Sequence, residues 1–251
     1  MTKRIFLFIL LFFAFTALIN INTVESQEPQ LIARWPMDEN SGDLIQDVVS
    51  DNDGELLGGK WVPAKFGSGI QFDKSKRQYV NIPKAPELEP DTPLTVMVWV
   101  NVDSAAGRQE VFCYGDSYVI LINHGVFKTY IHQGGAFPRA PGDTPVEVNR
   151  WYFLAMTYDL EDLKLYVNGE LDGEAKLPGS IDYLGLDLRF GNNPAAPAEA
   201  WEITGIVDEV EIWTTAMTEE QIMQAYQNPL AFLAVKPAGK TAVKWGDLKN
   251  R

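Results

Sequence analysis

The sequence predicts an all-β domain, a sandwich or barrel of antiparallel strands, on three observations. Short alternating or apolar runs recur through most of the 251 residues, each bounded by Gly, Pro, Asn or Asp. Helical periodicity stands out in only one segment, near the C-terminus. Composition supplies a core: 46% of residues are hydrophobic and 12% aromatic, and the single cysteine, Cys113, excludes an intrachain disulfide. Apolar packing has to hold the fold.

The chain opens with Lys3 and Arg4, an almost wholly apolar run over 5–21, and Val24-Glu25-Ser26. Charge, apolar core and small residues before a cut are the order of a secretory signal, here 1–26 with cleavage after Ser26. The alternative is an uncleaved anchor, because the run is nearly long enough to span a bilayer. No cysteine lies near the cut to carry a lipid. Removing the segment takes away two cations and one anion, which moves the net charge from −13 to −14. Such a chain repels nucleic acid and anionic lipid and favours cations, calcium among them.

The predicted strands are 31–37, 54–62, 70–73, 78–82, 94–102, 109–114, 118–123, 126–132, 151–158, 163–168, 170–176, 188–191 and 203–213. Residues 151–158 are too apolar to have one wet face, so this strand belongs at the centre of a sheet. Leu163, Leu165 and Val167 then alternate with Lys164, Tyr166 and Asn168. Asn168-Gly169 tolerates the two positive φ angles of a type I′ turn, so 151–176 reads as three consecutive antiparallel strands. The helix begins at Thr218, where Thr-Glu-Glu-Gln221 spells a capping box with two acids at the positive helix end. Pro229 ends it, and a basic tail over 230–251 follows, with Lys236, Lys240, Lys244, Lys249 and Arg251.

Eight or so segments, in order, resemble the laminin-G-like jelly-roll domains of secreted bacterial proteins, within the concanavalin A-like lectin/glucanase superfamily. Ala33-Arg-Trp-Pro-Met-Asp-Glu39 is similar to that family's first strand, and Asp47-Val-Val-Ser-Asp-Asn-Asp-Gly54 to its acidic turn. Gly69-Ile-Gln-Phe-Asp73, Leu94-Thr-Val-Met-Val-Trp-Val100 and Leu165-Tyr-Val-Asn-Gly169 follow. Gly205-Ile-Val-Asp-Glu-Val-Glu-Ile-Trp213, leading to Thr218-Glu-Glu-Gln-Ile222, resembles its last strand and closing helix. The resemblance covers about residues 31–228 and implies a two-sheet antiparallel jelly-roll sandwich over 27–229 with one short C-terminal helix. It also implies a location outside the bacterial cytoplasm: secreted, periplasmic or on the cell surface.

In many members the first and last strands lie side by side, bridged by calcium. By resemblance the ligands here are Asp38 and Asp208, with main-chain carbonyls completing the six to eight oxygens that Ca²⁺ takes. The bland alternative is that both acids accept backbone hydrogen bonds in turns. Asp51-Asn-Asp-Gly54 lacks the spacing and glutamate of an EF-hand and reads as a plain turn.

The retaining glucanases of the superfamily carry Glu-x-Asp-x-Glu on a strand, and Glu170-Leu-Asp172-Gly-Glu174 has that spelling. Period two would put all three carboxylates on one face, as two-carboxylate hydrolysis needs. Its place directly after the Asn168-Gly169 turn, with Gly173 inside it, favours coincidence in an acidic hairpin arm. His124 and His132 have no zinc spacing, Cys113 between two aromatics reads as a buried small hydrophobe, and no Gly-x-Ser-x-Gly occurs.

A binding role then becomes the default: a non-catalytic module for carbohydrate or extracellular matrix. The alternatives are an adhesive protein-recognition domain and, behind it, a β-glucan hydrolase. Candidate ligand residues lie in or beside the Gly- and Pro-rich stretches 134–145 and 192–202. They are Tyr130, His132, Phe137, Arg139, Asn193 and Trp201. Aromatic faces and planar polar groups on loops held by a rigid sandwich are the materials of glycan recognition.

Overall fold

The structure, a computed structural model, describes residues 29–234 except 197, 198 and 200. The expected signal over 1–26 and the part of the predicted tail from 235 onward lie outside the described residues. Among the described residues no helix is long and apolar enough to cross a membrane.

Two antiparallel sheets form the sandwich, with strands numbered along the chain. One sheet runs β14 (Glu170–Lys176), β13 (Asp162–Val167), β12 (Trp151–Tyr158), β7 (Leu94–Val102), β16 (Gly205–Trp213), β5 (Ser68–Phe72), β4 (Lys60–Pro63), and β1 (Leu31–Trp35) also pairs with β16. The other runs β11 (Arg139–Pro145), β10 (Val126–Ile131), β9 (Tyr118–Asn123), β8 (Arg108–Tyr114), β15 (Leu188–Phe190), β6 (Tyr79–Ile82), β3 (Gly54–Leu57), β2 (Leu44–Ile45). We call them the helix-side sheet and the open sheet.

Alternating side chains from both sheets meet in one core. Val96, Val98 and Val100 of β7 and Leu154 and Met156 of β12 face Phe112, Ile120, Ile122 and Phe127 from the open sheet. Trp35 packs edge-on against Phe190 at 5.2 Å, and its indole N–H donates to the Asn52 carbonyl at 2.8 Å. That carbonyl belongs to the acidic turn after β2, which is a structural staple. Asp47 Oδ1 accepts from the amides of Arg34 and Val49, and its Oδ2 from the Asn52 side chain.

The strand over 151–158 is central, between β7 and β13, and its second face has its own cover. Helix α1 (Glu219–Gln227) and a further short helix α2 (Pro229–Ala234) lie over that side. Met97, Trp99, Phe153, Ala155, Tyr166 and Trp213 make a second apolar cluster there with Met217, Ile222, Ala225 and Tyr226. Pro229 ends α1 but starts α2, since proline is well suited to a first helical turn. Half-buried Phe232 then meets Trp213 at 5.6 Å, so the first residues of the predicted tail belong to the packed domain. The capping box forms in full: Thr218 Oγ1 accepts from the Gln221 amide, and Gln221 Oε1 from the Thr218 amide.

Besides α2, three stretches differ from the sequence expectation. The strand over 54–62 divides at Gly58, where φ is +85°, and its halves β3 and β4 join different sheets. The stretch 139–145, expected as loop, is strand β11, and β2 is a further two-residue strand. Pro141 and Pro145 suggest a loop, yet β11 is an edge strand, where a missing N–H deprives no neighbour.

Candidate functional site

Asp38 lies just beyond β1, and β1 pairs directly with β16, with Trp35 opposite Val210. A bulge between Asp208 and Glu211 against β7 puts Glu209 at φ +51° and turns Asp208 toward the turn joining β4 to β5. Asp208 Oδ2 accepts from the Phe66 amide at 2.9 Å, and Asp38 Oδ1 from the Ser68 amide at 3.0 Å. The two acids thus hold amides two residues apart in one turn. Gly67 between them has φ +62°, and a Cβ there would sit 2.0 Å from Asp38 Oδ1, so a side chain is excluded on both grounds.

Backbone acceptance accounts for one oxygen of each acid. Asp208 Oδ1 is buried and has no hydrogen-bond partner among the described residues. Burial pushes the Asp208 carboxyl up to about 8 against the Phe66 hydrogen bond, and Glu209 and Asp38 push the same way. An orphaned carboxylate oxygen beside a second acid offers oxygen donors of the kind a hard cation takes. On the far side of the bulge, Arg34 Nη2 pairs with Glu209 Oε2 at 2.5 Å and its Nε with Glu211 Oε1 at 3.3 Å. The Trp213 indole donates to Glu211 Oε2 at 3.0 Å. All of these charges are buried, and desolvation pushes Glu209 up to about 7 despite Arg34.

The carboxylates of 170–174 separate. Across the β13–β14 ladder Leu171 faces Tyr166 and Gly173 faces Leu165, so Asp172 is the extra residue of a bulge. Glu170 then pairs with Val167, on the core side, and Glu174 with Lys164, on the opposite side. Asp172 Oδ1 accepts from the amide and hydroxyl of Thr144 in β11, stitching the sheet edges together. The single carboxylate face that strict period-two alternation would give does not form.

The six ligand candidates gather at the outer face of the open sheet. Tyr130 points away from the core, in a small cluster with Cys113, Val119 and Leu121. Its hydroxyl donates to Asp116 Oδ1 at 2.5 Å and accepts from Arg108 Nη2 at 2.9 Å. Asn193 Nδ2 donates to the same Asp116 oxygen at 2.6 Å. The Arg108 guanidinium lies 3.8 Å from the Trp201 ring centroid and 5.5 Å from that of Tyr130. Exposed Phe137 meets Tyr130 edge-on at 5.7 Å and His132 at 5.0 Å. Arg139 is opposite Tyr130 in the ladder and therefore on the same face, but it belongs to β11 and not to a loop.

Two residues absent from the sequence reading organise this group, Arg108 and Asp116. Glu110 accepts from Arg108 through Oε1 at 2.8 Å and 2.5 Å, and its amide donates to the Trp201 carbonyl at 2.8 Å. Burial raises the Glu110 carboxyl against the pull of Arg108, and burial lifts the Cys113 thiol well above its usual range. Further along the face, the Arg189 guanidinium stacks 4.1 Å from the Tyr79 ring.

A laminin-G-type family model, described as the concanavalin A-like lectin/glucanases superfamily, matches residues 74–223. The chain belongs to that superfamily. Similar solved structures include Domain 4 of AbnA, a GH43 extracellular arabinanase from Geobacillus stearothermophilus, in complex with arabinotriose. It has TM-score 0.67 and 16% identity over 80% of this chain and 100% of that one. The binding domain of Paraclostridial Mosquitocidal Protein 1 has TM-score 0.65 and 14% identity over 78% of this chain and 52% of that one. The receptor-binding domain of botulinum neurotoxin mosaic serotype C/D has TM-score 0.62 and 15% identity over 79% of this chain and 50% of that one. The chain thus spans about half the length of these two toxin domains. At such identities the likeness establishes the fold alone. No curated protein matches the sequence.

Proposed function

We propose that this chain is a secreted, non-catalytic glycan-binding module whose ligand surface is the outer face of the open sheet. The observation that carries the reading is the asymmetry of the sandwich. Helices cover the outer face of one sheet, while that of the other carries Trp201, Arg108, Tyr130, Phe137 and His132 in mutual contact. Aromatic rings offer flat apolar faces for the C–H side of a sugar, and Arg108, Arg139 and Asn193 offer planar hydrogen-bonding groups for its hydroxyls. Among structures of this fold, the arabinanase domain was solved with arabinotriose and a botulinum neurotoxin binding domain with SialylT. In the same proposal a calcium ion held by Asp38 and Asp208 ties β1 and β16 to the 64–68 turn.

A glycan array in calcium, run with wild type, Trp201→Ala and Phe137→Ala, tests the reading. Retention of a defined glycan by wild type, reduced at least tenfold in both variants, is expected. Absence of any bound glycan overturns it. A protein partner retained in the presence of competing sugar would assign the same face to adhesion instead.

A further inference from the structure

We propose that Glu110, Cys113 and Asp116 form a binding site for a thiophilic divalent cation of the zinc type, set in the outer face of the open sheet. The proposal stands apart from the glycan reading. In a regular strand, Glu110 and Cys113 would point to opposite faces. The β8–β9 ladder pairs Glu110 with Leu121 and Phe112 with Ile120, so Val111 is the extra residue of a bulge. The bulge returns Cys113 to the side of Glu110. The turn after β8, with Asp116 at φ +64°, brings the third residue back over them. One ligand atom from each of the three lies within 4.8 Å of the other two.

A second observation points to a missing partner. Glu110 is fully buried, and Arg108 occupies its Oε1 alone. Apart from the Cys113 thiol beside the carboxyl, Oε2 meets no donor among the described residues. The sulfur is also oriented as a ligand would be, since it accepts the Asp116 amide at 3.4 Å. Asp116 Oδ1 is held by Tyr130 and Asn193, so the outer-shell contacts that fix a metal-binding carboxylate are already present.

Zinc–sulfur bonds of about 2.3 Å and zinc–oxygen bonds of about 2.0–2.2 Å set ligand atoms roughly 3–4 Å apart, so a small closure of the group suffices. Half-exposed Asp116 forms the accessible side, where water would take the fourth position. On binding, the thiol proton leaves to solvent. A thiolate and two carboxylates carry three negative charges, which Arg108 and a divalent cation together cancel. The thiolate separates this site from the all-oxygen set at Asp38 and Asp208, which suits calcium.

Cobalt(II) titration of the full-length, chelator-treated protein tests the site. We expect one equivalent to bind with a sulfur-to-cobalt charge-transfer absorption in the near ultraviolet, displaced by zinc. The band should vanish in Cys113→Ser and persist in the Asp38→Asn, Asp208→Asn double variant. Asp116→Asn should weaken binding at least tenfold, the loss typical of even an outer-shell partner. X-ray absorption at the zinc edge, on wild type alone, should report one sulfur neighbour among oxygens and needs no variant to fold. A wild-type protein without the band and without a sulfur neighbour overturns the proposal, as does a band that survives in folded Cys113→Ser.

Discussion

Single residues carry the charge balance of the interior. Arg34 is the buried counter-charge to both Glu209 and Glu211, and removing one partner of such a group leaves uncompensated charge behind. Arg34→Met should therefore lower stability by about 3–5 kcal/mol in urea unfolding. Asp208 predicts a pH dependence. Its folded carboxyl titrates at about 8 and the unfolded one near 3.8, so between those values the folded state binds more protons. Stability of the chelated protein should fall as pH rises from about 4 to about 8. A bound calcium ion stabilises the ionised carboxylate, so calcium should flatten that decline. Thermal unfolding across pH, with and without calcium, measures both effects. An equal decline in Asp208→Asn would remove this aspartate as the source.

Elements test the turns and caps that the chain encodes locally. Asn168 and Gly169 take φ +53° and +88°, the pair expected of the type I′ hairpin, and the capping box at Thr218 forms from the four residues that spell it. Both were legible because each depends on residues within one turn of chain. Thr218→Ala should cost about 1 kcal/mol in equilibrium unfolding. The elements that escaped the sequence reading depend on distant partners. Strand β11 contains two prolines and is a strand because β10 offers an edge to it. Helix α2 docks through Phe232 on Trp213, which lies in strand β16. The bulge at Asp172 splits Glu170 from Glu174; Gly173 hints at an irregularity, but its exact place depends on the pairing with β13.

At the scale of the whole molecule, the two outer faces of the sandwich differ: helices cover one, and the other carries the proposed glycan surface. Phe232 closes the helix-covered face against Trp213. Phe232→Ala should lower stability by about 1–2 kcal/mol, short of the full value of a buried aromatic because the ring is half-buried. The same variant should leave glycan retention at its wild-type level, while Trp201→Ala, across the molecule, should do the reverse. Parallel unfolding and glycan-retention measurements on the two variants decide it. Loss of retention in Phe232→Ala at full folding would mean that the faces are not independent.

The sequence by itself determined the all-β class, the central strands, the hairpin and the capped helix, because periodicity, turn chemistry and caps are properties of neighbouring residues. It also carried the ordered segments of the superfamily, down to the pairing of first and last strands. It named Tyr130, Phe137, Asn193 and Trp201 without a reason for them to meet. The tertiary structure decided that meeting. Arg108 and Asp116 come from one sheet's outer surface and tie together Tyr130, Asn193 and Trp201 from distant parts of the chain. The bulges in β8, β14 and β16 decided which acids converge and which separate. A bulge exists only where two strands are paired, and pairing is a long-range choice that no single stretch of sequence contains.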